Sequence, residues 1–188
     1  LSQSTPALAT VDASASSAAI TLTATTRTAA ATVTTGSGDD SIELTLGTEA
    51  GNTVNAGTNS TVTSSSTGDT LNLNGTATGS TVVDLSSTTD QITTVNGVAN
   101  AATQIGFEHV SAAGTSVAGG TFTITGSSGI NAITGGAGND TIDGGAGNDT
   151  ITGGGGVDVV VVVFVANSRT HLSHKDLRSC LVFIWRNN

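Results

Sequence analysis

The sequence predicts an all-β fold, in which a parallel β-roll or β-solenoid at residues 126–161 follows a Ser/Thr-rich β-solenoid or β-sandwich region. Short runs alternate apolar and polar residues with a period of two, which is the pattern of strands. A nine-residue unit repeats without a gap near the C-terminal end. Ser and Thr make up 56 of the 188 residues and aromatic residues only 3%. Such a composition suits stacked rungs that each bury little apolar surface.

The alternating runs divide the first two thirds of the chain. Residues 20–23, 41–46, 71–74 and 121–125 are examples, and Gly, Asn, Asp and Ser separate them. They return about every 10 residues, as short strands do in a solenoid or a sandwich. We therefore expect four regions in chain order. These are a flexible lead-in at 1–18, a Ser/Thr-rich β region at 19–125, a repeat region at 126–161 and an atypical basic tail at 162–188.

The repeat region contains three consecutive units of nine residues. They read GGAGNDTID at 135–143, GGAGNDTIT at 144–152 and GGGGVDVVV at 153–161. Each fits the pattern G-G-x-G-x-D-x-U-x, where U is a large aliphatic residue. A flexible Gly-rich linker would explain the glycines, but not the fixed spacing of Asp and Ile. Residues 126–134 (GSSGINAIT) form a fourth, degenerate unit in the same register, with Asn131 in place of Asp.

The residue types of one unit favour a site for a hard cation. Glycine adopts positive φ at little steric cost, so the chain turns tightly and exposes its carbonyl oxygens. The Asp of each unit adds a carboxylate, and the units contain neither Cys nor His. An all-oxygen ligand set of about 6–8 atoms suits Ca²⁺ rather than zinc or copper.

These units resemble the calcium-binding nonapeptide repeats of RTX (repeats-in-toxin) proteins. The resemblance implies that two units complete one coil of a parallel β-roll and that Ca²⁺ lies between stacked turns of units i and i+2. We name each turn by the first residue of its unit. The 135 turn would pair with the 153 turn, and the 126 turn would pair with the 144 turn. Asn131 weakens the second of these pairs. We expect one or two well-formed sites. The implied ligand residues are Gly135, Gly136, Gly138, Asp140, Gly144, Gly145, Gly147, Asp149, Gly153, Gly154, Gly156, Asp158 and Asn131.

Two further segments carry fainter signals. Residues 35–43 (TGSGDDSIE) are either another degenerate unit or a hairpin turn with a solvated Asp39–Asp40 pair. The stretch 68–71 echoes the same pattern, and there a simple turn is favoured. Residues 106–110 (GFEHV) are similar to a Gly-Phe-Glu-Asn-Val element found beside RTX repeats, with His109 in place of Asn. We expect His109 to be a strand-edge residue and not a metal ligand.

Charge and motifs narrow the function. A formal charge of −9 argues against a nucleic-acid partner, which needs clustered Lys and Arg. No run reaches the roughly 20 apolar residues of a membrane span. The sequence contains neither a G-x-S-x-G elbow nor an H-E-x-x-H motif, so we expect no catalytic activity. The expected partners are calcium ions, with self-association or a cell-surface partner as further options.

The tail differs from the rest of the chain. Residues 1–165 carry 13 of the 14 acidic residues and one of the five basic residues. The remaining basic residues, the only Cys and the only Trp lie after residue 165, and Val159 to Ala166 would form the last strand. We expect the tail to be non-native or truncated; a small second module is the alternative, and a metal site at His171, His174 and Cys180 is a weaker one. The missing initiator Met and signal peptide indicate a fragment or a processed product.

The resemblance also implies a biological setting. RTX proteins leave bacterial cells by type I secretion, and their coils fold outside, where Ca²⁺ is plentiful. We therefore expect an extracellular structural surface protein, such as a surface-layer or adhesin-like protein, whose folding depends on calcium. The alternative is the C-terminal repeat region of a secreted hydrolase or toxin whose catalytic domain lies outside this chain.

Overall fold

The strands of the chain are seen in a computed structural model that describes residues 2–3, 10–24, 31–46, 52–59, 62–117, 119–163, 171–172 and 181–184. Within these ranges the fold is all-β and contains no helix, as the sequence predicts. The strands are β1 (Ser2–Gln3), β2 (Thr10–Asp12), β3 (Thr21–Ala24), β4 (Thr32–Thr34), β5 (Ser41–Thr45), β6 (Thr53–Asn55), β7 (Thr70–Ala77), β8 (Ser80–Asp84), β9 (Ile92–Val95), β10 (Val98–Ala99), β11 (Gln104–Ile105), β12 (His109–Val117), β13 (Thr121–Thr125), β14 (Ala132–Thr134), β15 (Thr141–Asp143), β16 (Thr150–Thr152), β17 (Val159–Val163), β18 (His171–Leu172) and β19 (Leu181–Ile184).

The described strands form three sheets. The largest has eight strands in the order β1-β3-β5-β7-β12-β14-β16-β18. A second has seven in the order β10-β9-β8-β13-β15-β17-β19, and a third has four in the order β11-β6-β4-β2. Apart from β8, β9 and β10, which belong to one sheet, consecutive described strands lie in different sheets. The chain returns to the eight-stranded sheet after strands of the four-stranded sheet early on and of the seven-stranded sheet later. This winding path is that of a β-solenoid.

Parallel pairing decides between the two architectures expected for residues 19–125. The pairings β2–β4, β3–β5, β4–β6, β5–β7 and β7–β12 are all parallel. Sandwiches of the immunoglobulin type are built from antiparallel sheets, so the solenoid alternative is the correct one. The eight-stranded sheet continues from this region into the repeats through the parallel pair β12–β14.

A three-stranded antiparallel meander interrupts the parallel solenoid. Among the described strands, β9 pairs antiparallel with both β8 and β10. The turn between β9 and β10 consists of Asn96 and Gly97, with φ values of 52° and 81°. Two successive positive φ values are the signature of a type I′ turn, and Asn-Gly is the dipeptide that favours it.

The aliphatic residues of the repeats form two inward-facing rows. Ile124, Ile142 and Val160 are paired in register across β13, β15 and β17, and Ile133 pairs with Ile151 across β14 and β16. The isoleucines are 0–3% exposed. Each such side chain contributes about 1.5–3 kcal/mol when it is fully buried, so repetition supplies the core that no single nine-residue unit could build.

We expect Ile142→Ala to lower the free energy of unfolding by about 2–5 kcal/mol, because it removes the centre of one aliphatic row and leaves a cavity. Urea unfolding in saturating calcium measures this loss. Thr141→Ala is the control, since Thr141 is exposed on the same strand and should cost less than about 1 kcal/mol. Similar losses for both variants would contradict a core built from position eight of the repeat.

The strand predicted at 159–166 is not the last one. β17 ends at Val163 and pairs in parallel with β19, while β18 pairs in parallel with β16. The alternation between the two sheets therefore continues into the tail. Residues 164–166, and the side chains of His171, His174 and Cys180, lie outside the described part of the chain.

Candidate metal centre

The turn before β17 is stacked directly on the turn before β15. A Cβ added to Gly154 would collide with the Gly136 carbonyl oxygen, and one added to Gly156 would collide with that of Gly138. Both Gly154 and Gly156 have positive φ, of 98° and 97°. The Gly155 N–H donates to the Gly136 carbonyl at 2.9 Å. The glycine backbones of two coils are thus in close contact at this edge. Carbonyl oxygens of both turns are therefore available to one ion.

A second pair of turns is stacked at the other edge, before β14 and β16. A Cβ on Gly145 would collide with the Ser127 carbonyl oxygen, and one on Gly147 with that of Gly129. The Ala146 N–H donates to the Ser127 carbonyl at 3.2 Å. The turns therefore stack in the two pairs that an i, i+2 rule requires, because one coil spans two units.

The first glycine of each unit leaves room for the carboxylate of the same unit. A Cβ at that position would meet the Oδ2 atom of the Asp five residues later. An alanine there would push the carboxylate out of the turn. The pairs are Gly135 with Asp140, Gly144 with Asp149 and Gly153 with Asp158.

Asp140 and Asp158 occupy equivalent positions in consecutive coils. The Asp140 N–H donates to Asp158 Oδ1 at 2.9 Å. Asp140 itself accepts the Phe122 N–H on Oδ1 at 2.7 Å and the Gly136 N–H on Oδ2 at 2.8 Å. The two side chains are 1% and 4% exposed. Two buried carboxylates are therefore fixed one coil apart beside stacked carbonyl oxygens, a donor set that suits Ca²⁺.

Electrostatics make this arrangement costly without a cation. Burial raises the pKa of Asp140, the charge of Asp158 raises it further, and N–H donation from Phe122 and Gly136 opposes the rise. Burial likewise raises the pKa of Asp149 to about 6, with donation from Asn131 opposing and the charge of Asp143 adding. A bound cation favours the ionised carboxylates and removes this penalty.

Asn131 gives the second pair of turns a different chemistry. Its Oδ1 accepts the Ser127 N–H at 2.7 Å, as Asp140 Oδ2 accepts the Gly136 N–H. Its Nδ2 donates to the Glu108 carbonyl at 2.6 Å. The Asn131 N–H donates to Asp149 Oδ1 at 3.0 Å. The Asn131 side-chain amide therefore donates a hydrogen bond to the Glu108 carbonyl oxygen. A carboxylate at this position would need a cation between it and that oxygen.

We expect the metal-free chain to become less stable as pH rises from about 4 to about 7. The pKa values of Asp69 and Asp149 are raised from 3.8 to about 7 and about 6, mainly by burial. Between the two sets of values the folded chain holds protons that the unfolded chain has lost, so unfolding becomes easier with pH. Thermal unfolding in metal-depleted buffers across this range measures the effect. A melting temperature that increases with pH would contradict it.

The structure also places the two fainter sequence signals, residues 35–43 and His109. Residues 35–43 are not a hairpin, because β4 and β5 belong to different sheets, and Asp40 is 1% exposed rather than solvated. His109 begins β12 and is 2% exposed. Its Nε2 contacts the Thr67 carbonyl oxygen at 2.9 Å, and its Nδ1 accepts the Ala132 N–H at 3.0 Å. Both ring nitrogens are therefore occupied by the protein.

The described residues contain no group of three or more His, Cys, Asp or Glu side chains that could hold a metal ion. The described part of the chain also contains no helix long and apolar enough to cross a membrane.

Comparison with known proteins matches the sequence of the repeats to a family. Residues 125–160 match the family model of the RTX calcium-binding nonapeptide repeat, which contains four copies of the unit. The match covers β14, β15 and β16 and the turns on both sides of them. No curated protein and no solved structure matches the chain significantly. Residues 125–160 are therefore an RTX calcium-binding repeat region, and Ca²⁺ is the ion that such repeats bind.

Proposed function

We propose that the chain binds Ca²⁺ between stacked turns of its repeat region and that this binding drives the folding of the β-roll. The strongest site would lie between the 135 and 153 turns, with a weaker one between the 126 and 144 turns. Carbonyl oxygens of the turns and the Asp carboxylates would supply the ligands. The proposed ligand residues are Gly135, Gly136, Gly138, Asp140, Gly153, Gly154, Gly156 and Asp158 for the first site, and Asn131, Gly144, Gly145, Gly147 and Asp149 for the second.

The pair Asp140 and Asp158 carries this proposal. Their carboxylates are buried in consecutive coils, and the Asp140 backbone N–H donates to Asp158 Oδ1 at 2.9 Å. Burial raises the pKa of Asp140, and the charge of Asp158, which repels that of Asp140, raises it further. A divalent cation turns that repulsion into attraction, and its binding free energy adds to the folding free energy.

The folding of the coils would depend on calcium because each short strand buries little apolar surface. Each repeat strand is three residues long in β14, β15 and β16. Isolated units of this size cannot bury enough apolar surface to offset the loss of backbone entropy. Affinities of extracellular calcium modules are about 10⁻⁴–10⁻³ M, so such a roll would fold where calcium is abundant and stay unfolded where it is scarce.

For the parent protein we propose an extracellular structural role, as in a surface-layer or adhesin-like protein of bacteria exported by type I secretion. The Ser/Thr-rich solenoid supports this role, because the eight-stranded sheet continues from it into the repeats. The other candidate is the repeat region of a secreted hydrolase or toxin. Sequence upstream of residue 1 separates them: an H-E-x-x-H or G-x-S-x-G domain there would favour the second.

The calcium proposal is tested by far-UV circular dichroism of the full chain in Ca²⁺, in Mg²⁺ and in chelator. We expect the β signal and the melting temperature to rise selectively with Ca²⁺, because Mg²⁺ demands near-ideal octahedral geometry and gives up its water reluctantly. Equal responses to the two ions, or no response to either, would refute calcium-driven folding.

A further inference from the structure

A row of acidic residues lies outside the matched repeats, at the start of three strands of the eight-stranded sheet. Asp40, Asp69 and Glu108 immediately precede β5, β7 and β12, and these strands are neighbours. We call these three residues the carboxylate ladder. Their register is fixed by the parallel pairs of Thr70 with Ser41 and with His109.

Hydrogen bonds connect the ladder from rung to rung. The Asp40 N–H donates to Asp69 Oδ1, and the Asp69 N–H donates to Glu108 Oε2, both at 2.7 Å. The Ile20 N–H donates to Asp40 Oδ1 at 2.7 Å. One carboxylate oxygen of each Asp therefore accepts an N–H from the preceding coil, as Asp158 does for Asp140 in the repeats.

The second carboxylate oxygen of each Asp in the ladder has no hydrogen-bond partner among the described residues. Asp40 and Asp69 are 1% and 0% exposed, and the Oδ2 atoms of both are buried without a hydrogen-bond partner. In the repeats the corresponding atom of Asp140 accepts the Gly136 N–H. An ionised carboxylate oxygen buried without a partner costs several kcal/mol in order of magnitude, so the two atoms need either a proton or a cation.

No cationic side chain of the described residues can do this. Every Lys and Arg of the chain lies outside the described ranges. His109 is adjacent, but its Nδ1 accepts the Ala132 N–H, so the ring is neutral in this arrangement and its Nε2 hydrogen is directed to the Thr67 carbonyl. Among the described residues, no cationic side chain therefore faces the unpartnered oxygens.

We propose that Asp40 and Asp69 hold a second Ca²⁺ through their Oδ2 atoms, at a site separate from the repeat region. Glu108 adds a third negative charge while its Oε2 accepts N–H groups of Asp69 and Asn59. Gly68 has a φ of +125°, and an added Cβ would lie 3.1 Å from His109 Nε2 and 3.2 Å from Glu108 Oε2. The turn before β7 thus keeps the space beside the ladder clear of side chains.

The protonation of Asp69 is consistent with a missing cation. Burial raises the pKa of Asp69 to about 7, hydrogen bonds from the Asp40 N–H and the Asn59 side chain oppose the rise, and the charges of Glu108 and Asp40 add to it. Asp69 is therefore only partly ionised at neutral pH without a counter-charge. A hard divalent ion restores the ionised form and joins the turns that precede β5 and β7.

The site is tested by titrating calcium calorimetrically into the full chain and into Asp69→Asn, Asp40→Asn and Asp84→Asn. Each is studied alone and combined with Asp158→Asn, which weakens the proposed repeat site. We expect Asp69→Asn and Asp40→Asn to remove one equivalent of bound Ca²⁺ in both backgrounds. Asp84→Asn should remove none, because Asp84 Oδ1 accepts only the local Ser86 groups and the variant changes the same charge elsewhere.

The outcomes separate the two sites. If one equivalent persists in Asp158→Asn and disappears when Asp69→Asn is added, the ladder site stands even where the repeat proposal fails. An unchanged number and affinity of bound ions in a folded Asp69→Asn chain overturns the ladder site. If the Asp69→Asn chain also melts at a higher temperature than the parent chain without metal, Asp40 Oδ2 and Asp69 Oδ2 share a proton and not a calcium ion. Should Asp69→Asn fail to fold, Asp40→Asn decides in the same way, since it keeps the oxygen that accepts the Ile20 N–H.

Discussion

Asp158→Asn is expected to change stability in opposite directions with and without calcium. The amide keeps an oxygen that can accept the Asp140 N–H, so the turn keeps its shape. Without calcium the variant should be more stable, because the charge of Asp158, which adds to burial in raising the pKa of Asp140, is gone. With about 10 mM calcium, a site of about 10⁻⁴–10⁻³ M contributes about 1.4–2.7 kcal/mol, most of which the variant should lose.

The measurement is thermal or urea unfolding of both chains at several calcium concentrations. Asp143→Asn is the matched control, because it removes the same charge from the repeats while keeping the oxygen that accepts the Gly145 N–H. It should leave most of the calcium response intact. A variant Asp158→Asn that responds to calcium as the parent chain does would refute the site between the 135 and 153 turns.

The repeat region could be read from the sequence because its chemistry is periodic. Position eight of the unit predicts the inward rows, and Ile142 and Ile151 are indeed buried. Two units per coil predicts the parallel pairs, and Thr141 pairs with Val159, eighteen residues away. In such an array each residue contacts the residue at the same repeat position in the next coil. The repeat pattern of the sequence therefore also predicts the tertiary contacts.

The region before the repeats was harder to predict because its coils differ in length. The distance along the chain between paired residues is 20 from Thr21 to Ser41 and 29 from Ser41 to Thr70. Unequal loops remove the fixed period, and the strand pattern alone fits both a sandwich and a solenoid. The Asn96–Gly97 hairpin signal was present in the sequence, but its position beside β8 depends on tertiary pairing.

The sequence does not predict the carboxylate ladder, for a related reason. Its pattern places Asp40 in either a degenerate unit or a solvated turn and Asp69 in a simple turn, and it assigns no site role to Glu108. What they share is an acid immediately before a strand of alternating residues. That signal is weak in one copy, because acids are common in turns. Only the register of the eight-stranded sheet brings the three together.

Gly154→Ala is expected to disrupt the same edge through the backbone instead of through charge. Gly154 has a φ of +98°, and an added Cβ would collide with the Gly136 carbonyl oxygen. Left-handed backbone costs a non-glycine residue about 1–2 kcal/mol, and strained positions of this kind cost about 1–3 kcal/mol. To relieve the collision, the 153 turn must move away from the 135 turn, which separates the carbonyl oxygens that an ion would bridge. Calcium affinity should therefore fall at least about tenfold, which corresponds to about 1.4 kcal/mol.

The next residue provides the control, because Gly155 tolerates a side chain where Gly154 does not. A Cβ on Gly155 would lie 3.4–3.7 Å from atoms of Ala137, in ordinary van der Waals contact, and no positive φ is involved. The two preceding intact units already have alanine at this position, Ala137 and Ala146. Calorimetric titration of the two variants should thus show weakened binding for Gly154→Ala and near-parental binding for Gly155→Ala. Equal affinities would mean that close stacking of the turns is not what brings the ligands together, since the collision with the 135 turn and the positive φ of Gly154 are what distinguish the two adjacent glycines.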